Sequence, residues 1–157
     1  MAATEPWRAE RAAEIIAAGA REKGATLPIL HALQATFGHV PQEAVPMVAD
    51  ALNLTRAEVH GVVSFYHDFR QAPAGRHVLK LCRAEACQSM GGDALAAQAQ
   101  AALAVAWRET SADHAVTLEP VYCLGLCATA PTALVDGQPI GRLTSARLLA
   151  LLDELRT

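Results

Sequence analysis

Four cysteines, the only ones in a chain of 157 residues, fall in two tight pairs, Cys82-Arg-Ala-Glu-Ala-Cys87 and Cys123-Leu-Gly-Leu-Cys127. A cysteine thiolate is a soft ligand for zinc or iron, so two such clips can close one four-coordinate site. Spacing bears on which metal that would be. Structural zinc usually has at least one C-x2-C clip, because one small ion must sit between both thiolates. The wider C-x4-C and C-x3-C clips suit a larger object, a 2Fe–2S cluster whose two irons each take two thiolates. A 2Fe–2S centre on Cys82, Cys87, Cys123 and Cys127 is therefore expected, with zinc, disulfides and free thiols as the alternatives.

Other chemistries fit the chain less well. The first residues contain acids and no apolar run, so neither a secretory signal nor a transit peptide is expected there. The expected location is cytoplasmic, where proteins seldom keep disulfides. None of the six histidines lies inside a clip, which excludes a Rieske arrangement of two cysteines and two histidines. A C-x-x-C dithiol is absent, which argues against disulfide exchange. No G-x-G-x-x-G follows a strand pattern, and no nucleophile sits beside a recognisable base. By itself the chain is expected neither to bind NAD nor to catalyse a reaction. His60 and His67, beside a hydrophobic helix end, read as structural or solvent-exposed histidines rather than ligands. Phe65, Tyr66 and Phe69 read as packing residues of the core and of the interdomain surface.

Composition bounds the rest. A hydrophobic fraction of 52% supports a real core, much of it alanine, which favours helix. A net charge of −3 leaves no basic footprint, so no nucleic-acid partner is expected. No apolar run approaches the ~18 residues of a membrane span, so no direct membrane insertion is expected.

The elements that must position the cysteines divide at Gln71-Ala-Pro-Ala-Gly75, a turn signal. Before it the periodicity is helical. Glu5 to about Glu22 forms one helix, and Pro28 opens a second bearing Ile29, Leu30, Leu33 and Phe37, stopped by Gly38. A third follows Pro41, with an irregular first turn or a start at Pro46. Thr55-Arg-Ala-Glu58 is a capping box for a fourth carrying Val59, Val62 and Val63. After the boundary the period shortens. A strand over His77–Leu81 ends at Cys82, Ser89-Met-Gly-Gly-Asp93 leads into a long Ala-rich helix to about Trp107, and Thr110–His114 form a polar turn. Val116–Tyr122 is a second strand ending at Cys123. Thr132–Asp136 and Pro139–Arg142 form a hairpin about Gly137-Gln138, and Thr144 caps a last helix. The expected fold class is α/β (α+β): a helical bundle over residues 1–72, then a β-α-β-β-α domain over residues 73–157. Gly91, Gly92 and Gly125 suit close backbone approach and positive φ around a sulfur-rich site, though they also serve as ordinary turn and helix-start glycines.

Cys82-x4-Cys87 with its Gly-Gly-led helix, then Glu119-Pro-Val-Tyr-Cys-Leu-Gly-Leu-Cys127 and Ala130-Pro131, resemble the thioredoxin-like 2Fe–2S ferredoxins. Leu27–Gln34 and Val59–Tyr66 resemble the helical N-terminal part of the 2Fe–2S subunit of the complex I NADH-oxidising module. Cys-Arg-Ala-Glu-Ala-Cys-Gln-Ser, Ser64–Arg70 and Leu118–Cys123 are most similar to the gamma subunit of molybdenum-containing, NAD-dependent formate dehydrogenase. The resemblance implies a thioredoxin-like fold for the second domain, with one 2Fe–2S cluster on the four cysteines. It also implies a role as a non-catalytic electron-transfer subunit of an NAD-dependent oxidoreductase. Its partner would be an FMN- and NAD-binding iron–sulfur subunit, with a molybdenum-containing formate dehydrogenase subunit in the larger assembly. The alternative parents are NADH-quinone oxidoreductase and the diaphorase module of an NAD-reducing hydrogenase. Likeness to the last thioredoxin hairpin implies a cis bond before Pro131. Ala128-Thr-Ala departs from the glycine or polar residue that relatives often carry after the fourth cysteine, which implies altered packing over the cluster.

Overall fold

The computed structural model describes residues 4–157. The expectation that no signal begins the chain falls partly on residues 1–3, outside those described. Two compact units emerge, one ending at Pro73 and the other spanning Ala74–Thr157.

The first unit is helical: α1 (Ala9–Gly19), α2 (Thr26–Phe37), α3 (Ala44–Leu52) and α4 (Arg56–Phe65). The core centres on α2, whose Ile29, Leu30, Leu33 and Phe37 are buried against Ile16, Val48, Val59 and Val63. α1 approaches α2 so closely that a Cβ on Gly19 would lie 2.7 Å from Ile29. α1 is shorter than the span from Glu5 to Glu22, and α2 starts two residues ahead of Pro28. Pro28 and Pro46 each occupy a first helical turn, where the missing N–H has no intrahelical partner to lose. The irregular turn expected before Pro46 is present, with the Ala44 amide bonded to the Pro41 carbonyl at 3.0 Å. Gly38 ends α2 with φ 78°, and the Thr55–Glu58 capping box starts α4. The Gln34 side chain bonds the Asp68 carbonyl and the Arg70 amide at 2.7 and 2.6 Å, holding the segment after α4 on α2.

The three aromatics after α4 begins divide between core and surface. Phe69 is buried, but Phe65 and Tyr66 are 74% and 45% exposed because α4 ends at Phe65 and the chain turns away. His60 and His67 are exposed.

The second unit is a five-stranded sheet with helices. In chain order it comprises β1 (His77–Cys82), α5 (Glu85–Ser89), α6 (Gly92–Leu103), β2 (Glu109–Thr110), β3 (Val116–Val121), β4 (Ala133–Val135), β5 (Gln138–Ile140) and α7 (Ser145–Arg156). The sheet order is β2-β3-β1-β4-β5, with β1 and β3 parallel and the remaining pairs antiparallel. Parallel neighbours need a crossover, and α5 and α6 lie within it. Leu79 and Leu118 on the paired strands, Leu95 and Ala99 of α6, and Leu148 and Leu152 of α7 share one core. Pro120 sits in β3 beyond the reach of β2, where its missing donor costs no ladder bond.

Four departures from the expected elements have local causes. α5 was not expected, being a single turn with no room for periodicity. β2 is two polar residues, and its cross-strand Thr110–Thr117 hydroxyl bond of 2.8 Å is a tertiary feature. α6 stops at Leu103, where Ala104 turns left-handed, well before Trp107. The hairpin turns at Asp136-Gly137, φ 49° and 86°, one residue before the expected pair. Both central residues having positive φ matches the strand twist, and aspartate tolerates that region. Among the described residues, no helix is long and apolar enough to cross a membrane.

Candidate metal centre

The site begins with strand register. β1 and β3 run parallel with Cys82 opposite Val121, and the Arg83 amide still bonds the Val121 carbonyl at 2.7 Å. Both chains therefore leave the sheet at the same end, each carrying one cysteine pair. After Cys82 the chain turns once in α5, which brings Cys87 back inward to 2% exposure beside Cys82 at 5%. A Cβ on Gly92 would stand 2.6 Å from the Cys87 carbonyl oxygen, so the α5–α6 junction closes only over a glycine.

The second arm is more open. Cys123 lies two residues past the end of β3 with φ 86°, a conformation costly for a residue with a Cβ. Gly125, φ 73°, turns the chain so that its amide donates to the Cys123 sulfur at 3.4 Å. Cys127 opens a single 3-10 turn, Cys127–Thr129, and the Ala130–Pro131 bond that follows is cis. The Thr132 carbonyl then accepts from the Cys82 amide at 3.0 Å, tying the end of the second arm to the start of the first. Cys123 and Cys127 are exposed, and none of the four cysteines is in a disulfide.

Electrostatics shows how closely the thiols gather. Burial pushes the Cys82 thiol up, but it is outweighed by the Ala84 amide, the Cys87 side chain, the Cys123 amide and the Thr132 hydroxyl. The net displacement is below the ordinary thiol value. Cys127 moves the other way, raised first by its hydrogen bond and charge contact with Cys123, then by burial and the charges of Cys87 and Cys82. Cys82 lies within hydrogen-bonding reach of Cys87 and Cys127 within reach of Cys123, and the charges of Cys82 and Cys87 act on Cys127. Among the described residues, no three His, Cys, Asp or Glu side chains are gathered as for a single ion. Two neighbouring pairs of thiols, with backbone amides beside the Cys82 and Cys123 sulfurs, could hold a 2Fe–2S cluster through two thiolates per iron.

The surroundings refine the expected roles. Arg83 is tied back by Asp93 at 3.1 Å and lies 5.5 Å over Trp107, so its charge is engaged within the fold. Glu85 is exposed, and Leu124 and Leu126 are half-buried. Tyr122 and Met90 stand 72% and 62% exposed beside the second and first arms. Two features escaped the sequence reading: the left-handed Cys123, and Thr132, buried with its hydroxyl 3.5 Å from the Cys87 sulfur. A threonine opening a short apolar strand carries no signal of that contact.

Parallel strands delivering two cysteine pairs to one end of a small mixed sheet define a thioredoxin-like fold carrying a four-thiol site. Residues 12–156 match the family model of thioredoxin-like 2Fe-2S ferredoxins, and the chain belongs to that family, whose group is one 2Fe–2S cluster. It is 38% identical over 146 residues to an NADH-quinone oxidoreductase subunit of Rhizobium meliloti (strain 1021), covering 91% of this chain and 87% of that one. It is 34% identical to the corresponding NADH-quinone oxidoreductase subunit of Mycobacterium bovis, covering 93% of this chain but spanning only 58% of that relative's length. Among solved structures it is similar to a chain of an NAD+-reducing NiFe-hydrogenase. That match has a TM-score of 0.67 and 30% identity, over 81% of this chain and 22% of the other.

Proposed function

We propose that this chain is an electron-transfer subunit holding one 2Fe–2S cluster through Cys82, Cys87, Cys123 and Cys127. Its partner is a flavin- and NAD-binding subunit with which it exchanges single electrons. The observation that carries this is the convergence of four thiols, as two pairs, at the ends of two parallel strands in a chain of the 2Fe–2S ferredoxin family. When bound, the cluster supplies a one-electron store. The chain's own residues divide the work. Cys82 and Cys87 anchor the buried side, the Ala84, Cys123 and Gly125 amides offset negative charge on sulfur, and Cys123 and Cys127 present the side open to a partner.

NADH-quinone oxidoreductase or an NAD-reducing hydrogenase is the parent assembly that the relatives' names favour. A formate dehydrogenase parent with a molybdenum-bearing subunit rests on the short segments Cys82–Ser89, Ser64–Arg70 and Leu118–Cys123 alone. The chain is purified anaerobically and its visible spectrum read before and after dithionite, with iron and acid-labile sulfide assayed. A brown protein that bleaches, with about two of each per chain, supports the proposal. A colourless protein holding one zinc overturns it. Co-purification from the native cell then separates the parents by the large subunit recovered and by its molybdenum or nickel content.

A further inference from the structure

Thr132 links both arms of the site. Its carbonyl accepts the Cys82 amide at 3.0 Å, and its hydroxyl lies 3.5 Å from the Cys87 sulfur while also within hydrogen-bonding reach of the Cys82 sulfur. The residue is 3% exposed, and Ala133, Leu134 and Val135 follow it along β4. A buried hydroxyl is costly unless it is bonded, and valine would fill nearly the same volume at no such cost. Packing alone therefore gives no reason for threonine here. The sulfur does.

As a protonated thiol, Cys87 could either give or take this hydrogen bond. As a metal-bound thiolate it can only accept, so a hydrogen bond between the two is donated by the hydroxyl. We propose that the Thr132 hydroxyl donates to the Cys87 sulfur in the loaded protein and thereby raises the reduction potential of the centre, an inference that rests on the function proposed above. Reduction adds one electron, makes no bond and breaks none. It leaves more negative charge on the sulfurs, so a fixed donor favours the reduced form over the oxidised one. The bond lies on the buried side, where water does not compete and the local dielectric is low. On the open side, the Gly125 amide serves Cys123 in contact with solvent. Thr132 thus acts through Cys87 as a positioning residue.

The test is a mediated redox titration of the full-length loaded protein as wild type, Thr132→Val, Thr132→Ser and Thr132→Ala, with iron and sulfide assayed on each. The expected result is a fully loaded valine variant whose reduced-to-oxidised ratio at fixed poise falls about tenfold, equivalent to about 59 mV for one electron. The serine variant should stay near wild type. A fully loaded valine variant with the wild-type potential overturns the proposal. So does failure of both the valine and alanine variants to load while wild type and serine do, since Thr132 would then serve assembly rather than potential. Failure of wild type itself to hold two irons and two sulfides would instead overturn the cluster assignment on which the inference stands.

Discussion

At the scale of single residues, the four cysteines are alike in sequence and unlike in place. Cys82 and Cys87 are enclosed, whereas Cys123 and Cys127 are open to solvent. Replacing any one by serine should cut iron from about two per chain to well under one, because an alkoxide is a poor substitute for a soft thiolate ligand. Loss should be most complete at Cys82 and Cys87, where the unpaired hydroxyl would also be buried; retention of the full native spectrum would remove that residue from the ligand set. Asp136 offers a residue-level test of pH. Burial raises its carboxyl, but bonds from the His77 ring at 2.6 Å and the Val78 amide at 2.8 Å outweigh it, leaving the carboxyl below its ordinary value. A depressed carboxyl stabilises the fold fully above its unfolded pKa of about 3.9 and loses that contribution as pH falls through the lower folded value. Asp136→Asn keeps a residue that tolerates positive φ, and should cost about 1 kcal/mol near neutrality. The gap between the two urea midpoints should close in acid; a gap independent of pH would show that the charge is not what matters.

At the scale of elements, the site depends on how α5 meets α6. The one turn of α5 returns Cys87 toward Cys82, and α6 begins directly against the Cys87 backbone. Gly92→Ala places a methyl 2.6 Å from the Cys87 carbonyl oxygen, and backbone cannot swing aside as a flexible side chain can. The variant should load substantially less iron and sulfide than wild type while far-UV circular dichroism stays close to wild type. Normal loading would mean that the junction has slack. Gly91 and Gly125 differ in kind: positive φ is their constraint, and open space surrounds them.

At the scale of the molecule, each unit buries a core of its own, one around α2 and one between the sheet and α6 and α7. All four cysteines belong to the second. We propose that the units are separate domains divided at the Gln71–Gly75 turn. Residues 73–157 expressed alone should then fold cooperatively and hold the cluster, with iron and sulfide per chain matching the full-length protein. A fragment that is unfolded or empty would show that the helical unit is needed. Leu118→Ala in the second core should destabilise that unit by about 2–5 kcal/mol, read as loss of visible absorbance at a lower denaturant concentration.

Much of this was legible in the chain, and particular residues show why. Helix-period apolar positions in Leu30, Leu33 and Phe37, the Thr55–Glu58 box, and His77 to Leu81 as a strand are local signals, because each follows from a few neighbouring side chains. The cysteine spacing likewise announced a metal group wider than one ion. Other features depend on how separate stretches of the chain meet. β2 exists because Thr110 meets Thr117 on the neighbouring strand, and Cys123 is left-handed where the chain leaves β3. Thr132 reaches Cys87 only because β4 lies beside β1. Local pattern determined which residues would form elements and which could bind metal. Strand register and packing decided which thiols are buried, which face solvent, and which hydroxyl stands beside a sulfur, since no short stretch of sequence encodes a distance to residues 45 positions away.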